Sequence, residues 1–181
     1  MKAWKRIDPT TIQKVGYRTV VTKTFVMPNG QTAAFDTLLP EGQEFVNVLA
    51  LTSDLKVVIA RQFRFGPELI MDELPGGFVD AGETIEAAAR RELLEETGYK
   101  PTEMVYIGLF HKDTYMNAVW HTFLATDCKS AGTQNLEDEE HIETRLITID
   151  ELFDNARHDR MTDVPAVFMA YEKLIGLKEE R

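Results

Sequence analysis

A glycine-rich turn followed by a short acidic helix places the strongest constraint on how this chain folds. The segment LPGGFVDAGETIEAAARRELLEETGY runs from Leu74 to Tyr99. Thr84 suits a helix N-terminus, because its hydroxyl can accept a hydrogen bond from a free amide, and Gly98 suits a helix end, because glycine adopts left-handed backbone angles. These signals predict a helix over Ile85–Thr97. The glycines before it allow a sharp turn that brings the backbone close to a ligand.

Three acidic residues crowd one side of this predicted helix. At 100° per residue, Glu92, Glu95 and Glu96 fall within an arc of about 100°. Their mutual repulsion costs a few tenths of a kcal/mol per pair, and a divalent cation would reverse it. Carboxylate oxygens select a hard ion such as Mg²⁺ or Mn²⁺, and the planar fork of Arg91 can hold one carboxylate in place. The alternative is a solvated helix face with ordinary ion pairs.

Composition argues against nucleic-acid binding, secretion and a membrane span. The 181 residues fit one domain, and a net charge of -10 argues against a nucleic-acid-binding surface, which needs a basic stripe. Cys128 is the single cysteine, so no internal disulfide can form. There is no apolar N-terminal region and no run of 18 apolar residues, so we expect neither secretion nor a membrane span. We therefore expect a cytoplasmic protein with no nucleic-acid or membrane partner.

Strands are predicted on both sides of the acidic helix. Pro28-Asn29-Gly30 separates two β-rich runs, which predicts a hairpin, and Ser53-Asp54 separates another strand pair. Further helices are predicted over Ile149–Arg157 and Val164–Leu177, the last with Asp163 as its N-cap. Strands interleaved with few helices favour a mixed sheet covered by helices. The apolar positions predicted to pack are Ala87, Leu93 and Leu94 in the first helix and Phe168, Tyr171, Leu174 and Ile175 in the last.

The spacing of the acidic helix resembles that of a known family. Gly77, Glu83, the run Arg91-Glu92-Leu93, the pair Glu95-Glu96 and Gly98 match the Nudix box at every defining position. The chain thus resembles the Nudix hydrolases, which cleave the pyrophosphate of a nucleoside diphosphate linked to another moiety. The resemblance implies an α/β fold, a Nudix-type α/β/α sandwich with a mixed β-sheet and a β-rich N-terminal segment.

The resemblance also implies roles for the box residues. Glu92, Glu96, Glu95 and the carbonyl of Gly76 would ligate Mg²⁺, with Mn²⁺ as a possible substitute, and Glu95 could instead orient a water. Glu83 and Arg91 would support these ligands. Pyrophosphate hydrolysis requires neutralised phosphate oxygens and a more acidic water, which bound Mg²⁺ supplies.

The segments VVIARQFRFG and ELPGG resemble the ADP-ribose and nucleoside-diphosphate-sugar pyrophosphatases within this family. Arg64 is the preferred contact for a substrate phosphate, and Arg61 a second candidate, although either could be an ordinary edge-strand charge. Glu73 matches a position near the substrate in that group. Phe25 could stack on a nucleoside base, with Tyr17 as another candidate, but an aromatic residue in a strand is more often part of a core.

An acidic run between two predicted strands, Asn135 to Glu143, falls where this family carries a mobile loop with a general base. Glu140, or alternatively Glu139, would receive the proton of the attacking water. The alternative is that this acidic run is an ordinary solvated loop without a catalytic role.

The resemblance leaves the substrate and the oligomeric state as hypotheses. We predict a nucleotide-sugar diphosphatase with ADP-ribose among its substrates. Tyr115 stands where ADP-ribose-selective members carry proline, so a dinucleoside polyphosphate hydrolase is the first alternative and a catalytically silent nucleotide-sugar sensor the second. We predict a segment over residues 1–44 that crosses to a partner subunit in a homodimer, and a Nudix domain over residues 45–181.

Overall fold

A computed structural model describes residues 1–138 and 140–180 of the chain. The chain divides into two compact units. Unit 1 consists of Met1–Glu44 and His111–Val119, and unit 2 of Phe45–Phe110 and Trp120–Arg181. Two long strands, β3 (Thr32–Thr52) and β8 (Met116–Ser130), contribute residues to both units.

Unit 1 is built from antiparallel strands. Its strands are β1 (Lys5–Val15), β2 (Arg18–Val26) and the first part of β3. Val26 lies opposite Thr32 across the turn between β2 and β3, where Gly30 has a φ of 82°. The hairpin predicted around Pro28-Asn29-Gly30 is therefore confirmed.

Unit 2 carries helices on both faces of a sheet. Its remaining strands are β4 (Val57–Arg64), β5 (Leu69–Glu73), β6 (Tyr99–Lys100), β7 (Glu103–Phe110) and β9 (Glu143–Ile147). β4 pairs antiparallel with β3, β5 and β9, and β8 pairs with β3 and β7. The helices are α1 (Ile85–Thr97), α2 (Ile149–Arg157) and α3 (Val164–Glu179).

Strand alternation produces two separate cores in unit 2. On β3, Val46 and Val48 point to one face and Leu49 and Leu51 to the other, because successive side chains of a strand alternate. The first face packs against Ala88, Ala89 and Leu93 of α1. The second packs against α2 and α3 through Leu152, Phe153, Ala166, Val167, Ala170 and Leu174. This arrangement confirms the predicted α/β/α sandwich.

The ends of α1 follow the sequence signals closely. The Thr84 hydroxyl accepts a hydrogen bond from the Ala87 amide at 3.2 Å. Gly98 has a φ of 74°, and its amide donates to the Leu94 carbonyl at 2.8 Å. Asp163 occupies the N-cap position of α3, but its side chain makes no cap hydrogen bond. Its carboxylate instead accepts from the buried Leu74 amide at 3.0 Å, which ties α3 to the turn before α1.

Two predicted packing faces were wrong in detail. Ala87 is exposed, and Ala88 and Ala89 take its place in the core. In α3, Phe168 is 79% exposed, whereas the buried positions include Ala166 and Ala170. Small residues let a helix lie close against a sheet, so the large aromatic rings of α3 remain at its rim.

None of the helices within the described residues is long and apolar enough to cross a lipid bilayer.

Candidate active site

The turn before α1 lies directly against strand β3. The Val46 amide donates to the Gly77 carbonyl and the Val48 amide to the Pro75 carbonyl, each at 2.9 Å. A Cβ atom on Gly76 would lie 2.1 Å from the Val46 carbonyl oxygen. Only glycine fits at this position, because the neighbouring atom belongs to backbone that cannot move aside.

Arg91 joins polar groups of α1 to polar groups of the segment that precedes the helix. Its guanidinium donates to both oxygens of Glu83, at 3.1 and 3.0 Å. Nη1 donates to Glu92 at 2.9 Å and to Glu95 at 3.0 Å. Nη2 also donates to the Phe78 carbonyl at 2.9 Å. One positive group therefore holds three carboxylates and the turn in a fixed arrangement.

The charges in this network reinforce each other. The hydrogen bond from Arg91 lowers the pKa of Glu83, and the hydrogen bond to Glu83 is the largest cause that raises the pKa of Arg91. Glu83 thus stays ionised and Arg91 stays charged near neutral pH.

Glu96 lies deeper than the other box carboxylates and is only 5% exposed. One of its oxygens accepts a hydrogen bond from the Gly76 amide at 2.8 Å. Burial raises the pKa of Glu96 to about 8, and the nearby charges of Glu92 and Glu140 add to this effect. Burial also raises the pKa of Glu92, although Arg91 opposes the increase. Both side chains therefore favour a positive partner or a proton.

The raised pKa of Glu96 predicts that the metal-free protein is less stable at pH 8 than at pH 5. The folded protein keeps a proton between the ordinary value of 4.5 and about 8 that the unfolded chain releases, so the free energy of unfolding falls as pH rises through this window. The contribution is at most about 5 kcal/mol. Denaturant unfolding in a metal chelator at both pH values measures it. Glu96→Gln should flatten the slope, and an equally steep slope in that variant would contradict the assignment.

A pocket of about 440 Å³ opens beside α1. Its lining combines residues of the turn, of the helix and of the acidic loop: Gly76, Gly77, Phe78, Asp80, Arg91, Glu92, Glu95, Asn135, Leu136, Glu137 and Glu140. The structure thus brings Glu140 to the same pocket as Glu92 and Glu95. Glu139, the alternative base, lies outside the described residues.

Two residues that sequence reasoning missed attach the acidic loop to α1. The Gln134 side-chain amide donates to the carbonyls of Glu96, at 2.5 Å, and Ile142, at 3.0 Å. The Asn135 amide donates to the Glu95 carbonyl at 2.9 Å. The last carbonyls of a helix lack partners within the helix. That rule predicts that some donor is needed there, but not which residue supplies it.

The upstream arginines separate onto opposite faces of β4. Arg64 forms a two-pronged ion pair with Glu73, in which Nε donates at 2.5 Å. Val58 of β4 packs in the core beneath α1, and side chains alternate along a strand, so Arg64 and its partner Glu73 lie on the α1 side of the sheet. Arg61 instead lies 3.8 Å from Asp72, a residue that also binds Asn155 of α2. The structure therefore brings Arg64 towards the box and Arg61 to the other face.

Phe25, the candidate for base stacking, lies on β2 of unit 1. Its ring packs against Phe35 with centroids 6.3 Å apart. Tyr17 is exposed, and the Arg18 guanidinium lies 5.3 Å from the centre of its ring. Both contacts are those expected of aromatic residues in a hairpin, and a role for either in base binding stays a prediction.

The donor set of the pocket suits a hard divalent cation. Its candidate ligands are carboxylates and a backbone carbonyl, which are the oxygen ligands that Mg²⁺ prefers. A Cβ atom on Gly77 would lie 2.3 Å from an oxygen of Glu92, so glycine leaves room for this carboxylate. Among residues 1–138 and 140–180, no group of three or more aspartate, glutamate, histidine or cysteine side chains is arranged so that it could hold a metal ion. The carboxylates are held instead by Arg91 and the Gly76 amide.

Comparison with known proteins identifies the class to which this fold and pocket belong. The model of the NUDIX domain matches residues 43–168, so the chain belongs to the Nudix family. Nudix hydrolases generally use divalent metals. The predicted membership of this enzyme family is therefore confirmed.

Several individual proteins are similar over most of the chain. The ADP-ribose pyrophosphatase of Bacillus subtilis (strain 168) is 31% identical over 127 residues, which cover 69% of this chain and 68% of that protein. The methanol dehydrogenase activator of Bacillus methanolicus is 29% identical over 143 residues, 78% of this chain and 76% of that one. A crystal structure of an ADP compounds hydrolase has the same fold, with a TM-score of 0.77 and 20% identity over 96% of this chain and 98% of that chain.

Proposed function

We propose that this protein hydrolyses the diphosphate bond of nucleoside diphosphate sugars, with ADP-ribose among its substrates. The products would be a nucleoside monophosphate and a sugar phosphate. The observation that carries the proposal is the pocket where Glu92 and Glu95 of α1 meet Glu140 of the acidic loop. The similarity to the ADP-ribose pyrophosphatase of Bacillus subtilis supports the substrate class.

Three side chains of the box, those of Glu92, Glu95 and Glu96, and the carbonyl of the preceding Gly76 would hold Mg²⁺, with Mn²⁺ as a substitute. When bound, such ions neutralise the non-bridging phosphate oxygens and make a water more acidic. Arg91 and Glu83 would position the carboxylates through the hydrogen bonds already present.

Glu140 is our candidate for the general base. It lines the pocket, and its charge raises the pKa of both Glu92 and Glu96. A carboxylate within hydrogen-bond reach of the attacking water can accept its proton. The Glu137 amide donates to Glu140 at 3.0 Å, which orients the carboxylate within the loop. Glu139 remains the alternative for this role.

Arg64 is our candidate for a substrate phosphate contact. Its guanidinium is paired with the buried Glu73 and is 41% exposed, so it is fixed on one side and accessible on the other. Arginine recognises phosphate oxygens through its planar fork. Glu73 would act by orienting Arg64 near the substrate, whereas the position of Arg61 on the other face favours a structural role with Asp72.

Product identification in ¹⁸O water tests the proposed function. The substrates are ADP-ribose, ADP-glucose, GDP-mannose and diadenosine tetraphosphate, each with Mg²⁺. We expect turnover of the diphosphate sugars, with ¹⁸O in one phosphate product that identifies the attacked phosphorus. Turnover of diadenosine tetraphosphate alone would favour the dinucleoside polyphosphate hydrolase. Binding without turnover would favour the sensor.

A pair of glycine variants tests whether the turn serves the pocket. In Gly77→Ala the new methyl group meets the end of the Glu92 side chain, which can rotate away from its hydrogen bond to Arg91, whereas in Gly76→Ala it meets the backbone of β3. We expect Gly77→Ala to lower kcat/KM about tenfold and to change stability by less than about 1 kcal/mol. Gly76→Ala should lose several kcal/mol of stability, as steric strain in a packed core does. Thermal unfolding and ADP-ribose assays separate the two effects. Unchanged activity in folded Gly77→Ala would contradict this role of the turn.

The loop attachment gives a second prediction. Gln134→Leu removes the donor to the Glu96 and Ile142 carbonyls while keeping a similar volume. We expect kcat to fall about tenfold, because a misplaced base loses much of the effect of general base catalysis. Gln31→Leu, in the exposed turn between β2 and β3, is the matched control and should leave kcat unchanged. Equal activity of both variants would mean that Gln134 does not position the loop.

We also propose that the protein is a homodimer and that it is cytoplasmic. Phe25 would stack on the base of the substrate. The β-rich segment over residues 1–44 supports the dimer through its resemblance to the segment that crosses between subunits in related pyrophosphatases. Light scattering after size-exclusion chromatography measures the mass, and a mass near 20.6 kDa would reject the dimer.

A further inference from the structure

An aromatic column ends in the wall of the pocket. Phe78 packs against Phe45 with ring centroids 4.2 Å apart, and Phe45 stacks on Trp120 at 4.5 Å with an interplanar angle of 2°. Trp120 is buried, whereas Phe78 is 48% exposed. Phe78 is among the residues that line the pocket, and the inner rings support its ring on one side.

Phe78 is the large aromatic residue in a lining that is otherwise mostly polar or glycine. Its carbonyl accepts a hydrogen bond from Arg91 Nη2 at 2.9 Å, and Nη1 of the same guanidinium binds Glu92 at 2.9 Å and Glu95 at 3.0 Å. The backbone of Phe78 is therefore separated from the two carboxylates by a single guanidinium group. A substrate whose phosphates were held at those carboxylates would therefore lie beside Phe78.

We propose that Phe78 packs its exposed side against a sugar ring joined directly to the substrate diphosphate, and thereby determines substrate affinity. This inference rests on the proposed function. A sugar is the first group on either side of the diphosphate, while a nucleobase lies one ring further away. The C–H groups of a sugar and the face of a fixed phenyl ring exclude water from each other, and such rigid aromatic surfaces dominate small-molecule pockets.

Two sugars have the required chemistry, the ribose of the nucleoside and the second sugar. ADP-ribose carries both, and the β-methyl ester of ADP carries only the nucleoside ribose. For Phe78→Ala with ADP-ribose, we expect KM to rise about tenfold, equivalent to about 1.4 kcal/mol, while kcat stays within about twofold. Phe78→Tyr should restore KM to within about twofold of the wild type, because it keeps the flat ring.

A rise of KM for ADP-ribose alone assigns the contact to the second sugar, and a rise for both substrates assigns it to the nucleoside ribose. The matched control is Tyr171→Ala on α3, whose residue is 42% exposed and packs on Phe153 outside the pocket. It should leave KM unchanged. Should Phe78→Ala fail to fold, Phe78→Leu preserves the packing on Phe45 but lacks the flat face, and is expected to raise KM about threefold.

Unchanged KM for both substrates in a folded Phe78→Ala or Phe78→Leu protein would overturn the inference, as would a loss confined to kcat. Failure of the proposed function gives a different result, since wild-type protein would then not turn over ADP-ribose. In that case calorimetric binding of ADP-ribose in Mg²⁺ still compares Phe78→Ala with the wild type. An equal Kd there would overturn the contact independently of catalysis.

Discussion

Replacement of Glu96 by glutamine is expected to lower kcat/KM for ADP-ribose about a thousandfold or more, because the amide removes a negative ligand from the proposed metal site. Glutamine has nearly the same shape and keeps an oxygen that can accept the hydrogen bond from the Gly76 amide. The variant therefore changes charge while it preserves packing. Steady-state kinetics over a range of Mg²⁺ concentrations measures the loss and shows whether added metal reverses it.

The stability of the same variant is expected to move in the opposite direction. Ionised Glu96 is buried beside the charges of Glu92 and Glu140, which disfavour its negative form in the metal-free protein. A neutral amide removes this conflict, so metal-free Glu96→Gln should be more stable than the wild type at pH 8. A gain in stability together with a loss of activity is typical of a residue that serves function at the expense of stability. General misfolding would instead lower both.

Glu86→Gln provides the matched control for the change at position 96. Glu86 lies in the first turn of the same helix, is 54% exposed and pairs with Arg90 at 2.9 Å. Its replacement should leave kcat/KM within about twofold, because exposed ion pairs contribute little. Full activity of Glu96→Gln would remove the metal-site assignment, even if the chain remained a Nudix protein.

The sequence was informative where structure depends on neighbouring residues. The bounds of α1, its Thr84 cap and its Gly98 end follow from local hydrogen bonding and backbone angles, so sequence reasoning predicted them correctly. The arc of Glu92 and Glu95 follows from helix geometry alone, and the structure places both in one pocket. Local rules also predicted both hairpins.

Long-range partners were beyond the reach of the same rules. The contact of Gln134 with Glu96 spans 38 positions, and that of Asp163 with Leu74 spans 89. Nothing local distinguishes Gln134 from any other loop glutamine. Asp163 has the sequence of an N-cap, but the buried amide of Leu74 competes for its carboxylate, and tertiary context decides.

The aromatic column is a second feature that local sequence rules could not predict. Phe78 belongs to a glycine-rich turn, where sequence patterns predict neither burial nor exposure. Its position depends on Phe45 and Trp120, which lie on two different strands. Residues on separate elements meet only after the sheet has formed, so the sequence contains no periodic signal for this cluster.

Arg91→Lys is expected to lower kcat/KM about a hundredfold although it preserves the positive charge. The guanidinium donates in one plane to Glu83, Glu92, Glu95 and the Phe78 carbonyl. An ammonium group concentrates its donors at one point and cannot span these acceptors. Residues that orient metal ligands commonly account for about 10- to 100-fold in activity or metal affinity, which is the order of the loss expected here.

The loss of kcat/KM in Arg91→Lys should arise from the geometry of the donors, because lysine keeps the positive charge. Arg91→Met removes the charge as well and is therefore the variant to compare with it. Methionine leaves three carboxylates without their common cation, and the metal-free protein should lose about 2 kcal/mol of stability, less than a fully buried pair because Arg91 is 29% exposed. Added Mg²⁺ should recover part of this loss, since a divalent cation at Glu92 and Glu95 again opposes their repulsion. Thermal unfolding with and without Mg²⁺ measures the recovery.

The neighbouring Arg90 supplies the control, because Arg90→Lys makes the same chemical change on the solvent side of the same helix. Arg90 pairs with the exposed Glu86, with Nε and Nη2 at 3.0 and 2.9 Å from one carboxylate oxygen. Its replacement should alter kcat/KM by less than about twofold. If Arg91→Lys and Arg90→Lys were equally active, the planar network around Arg91 would have no part in positioning the carboxylates, and the box arginine would act through its charge alone.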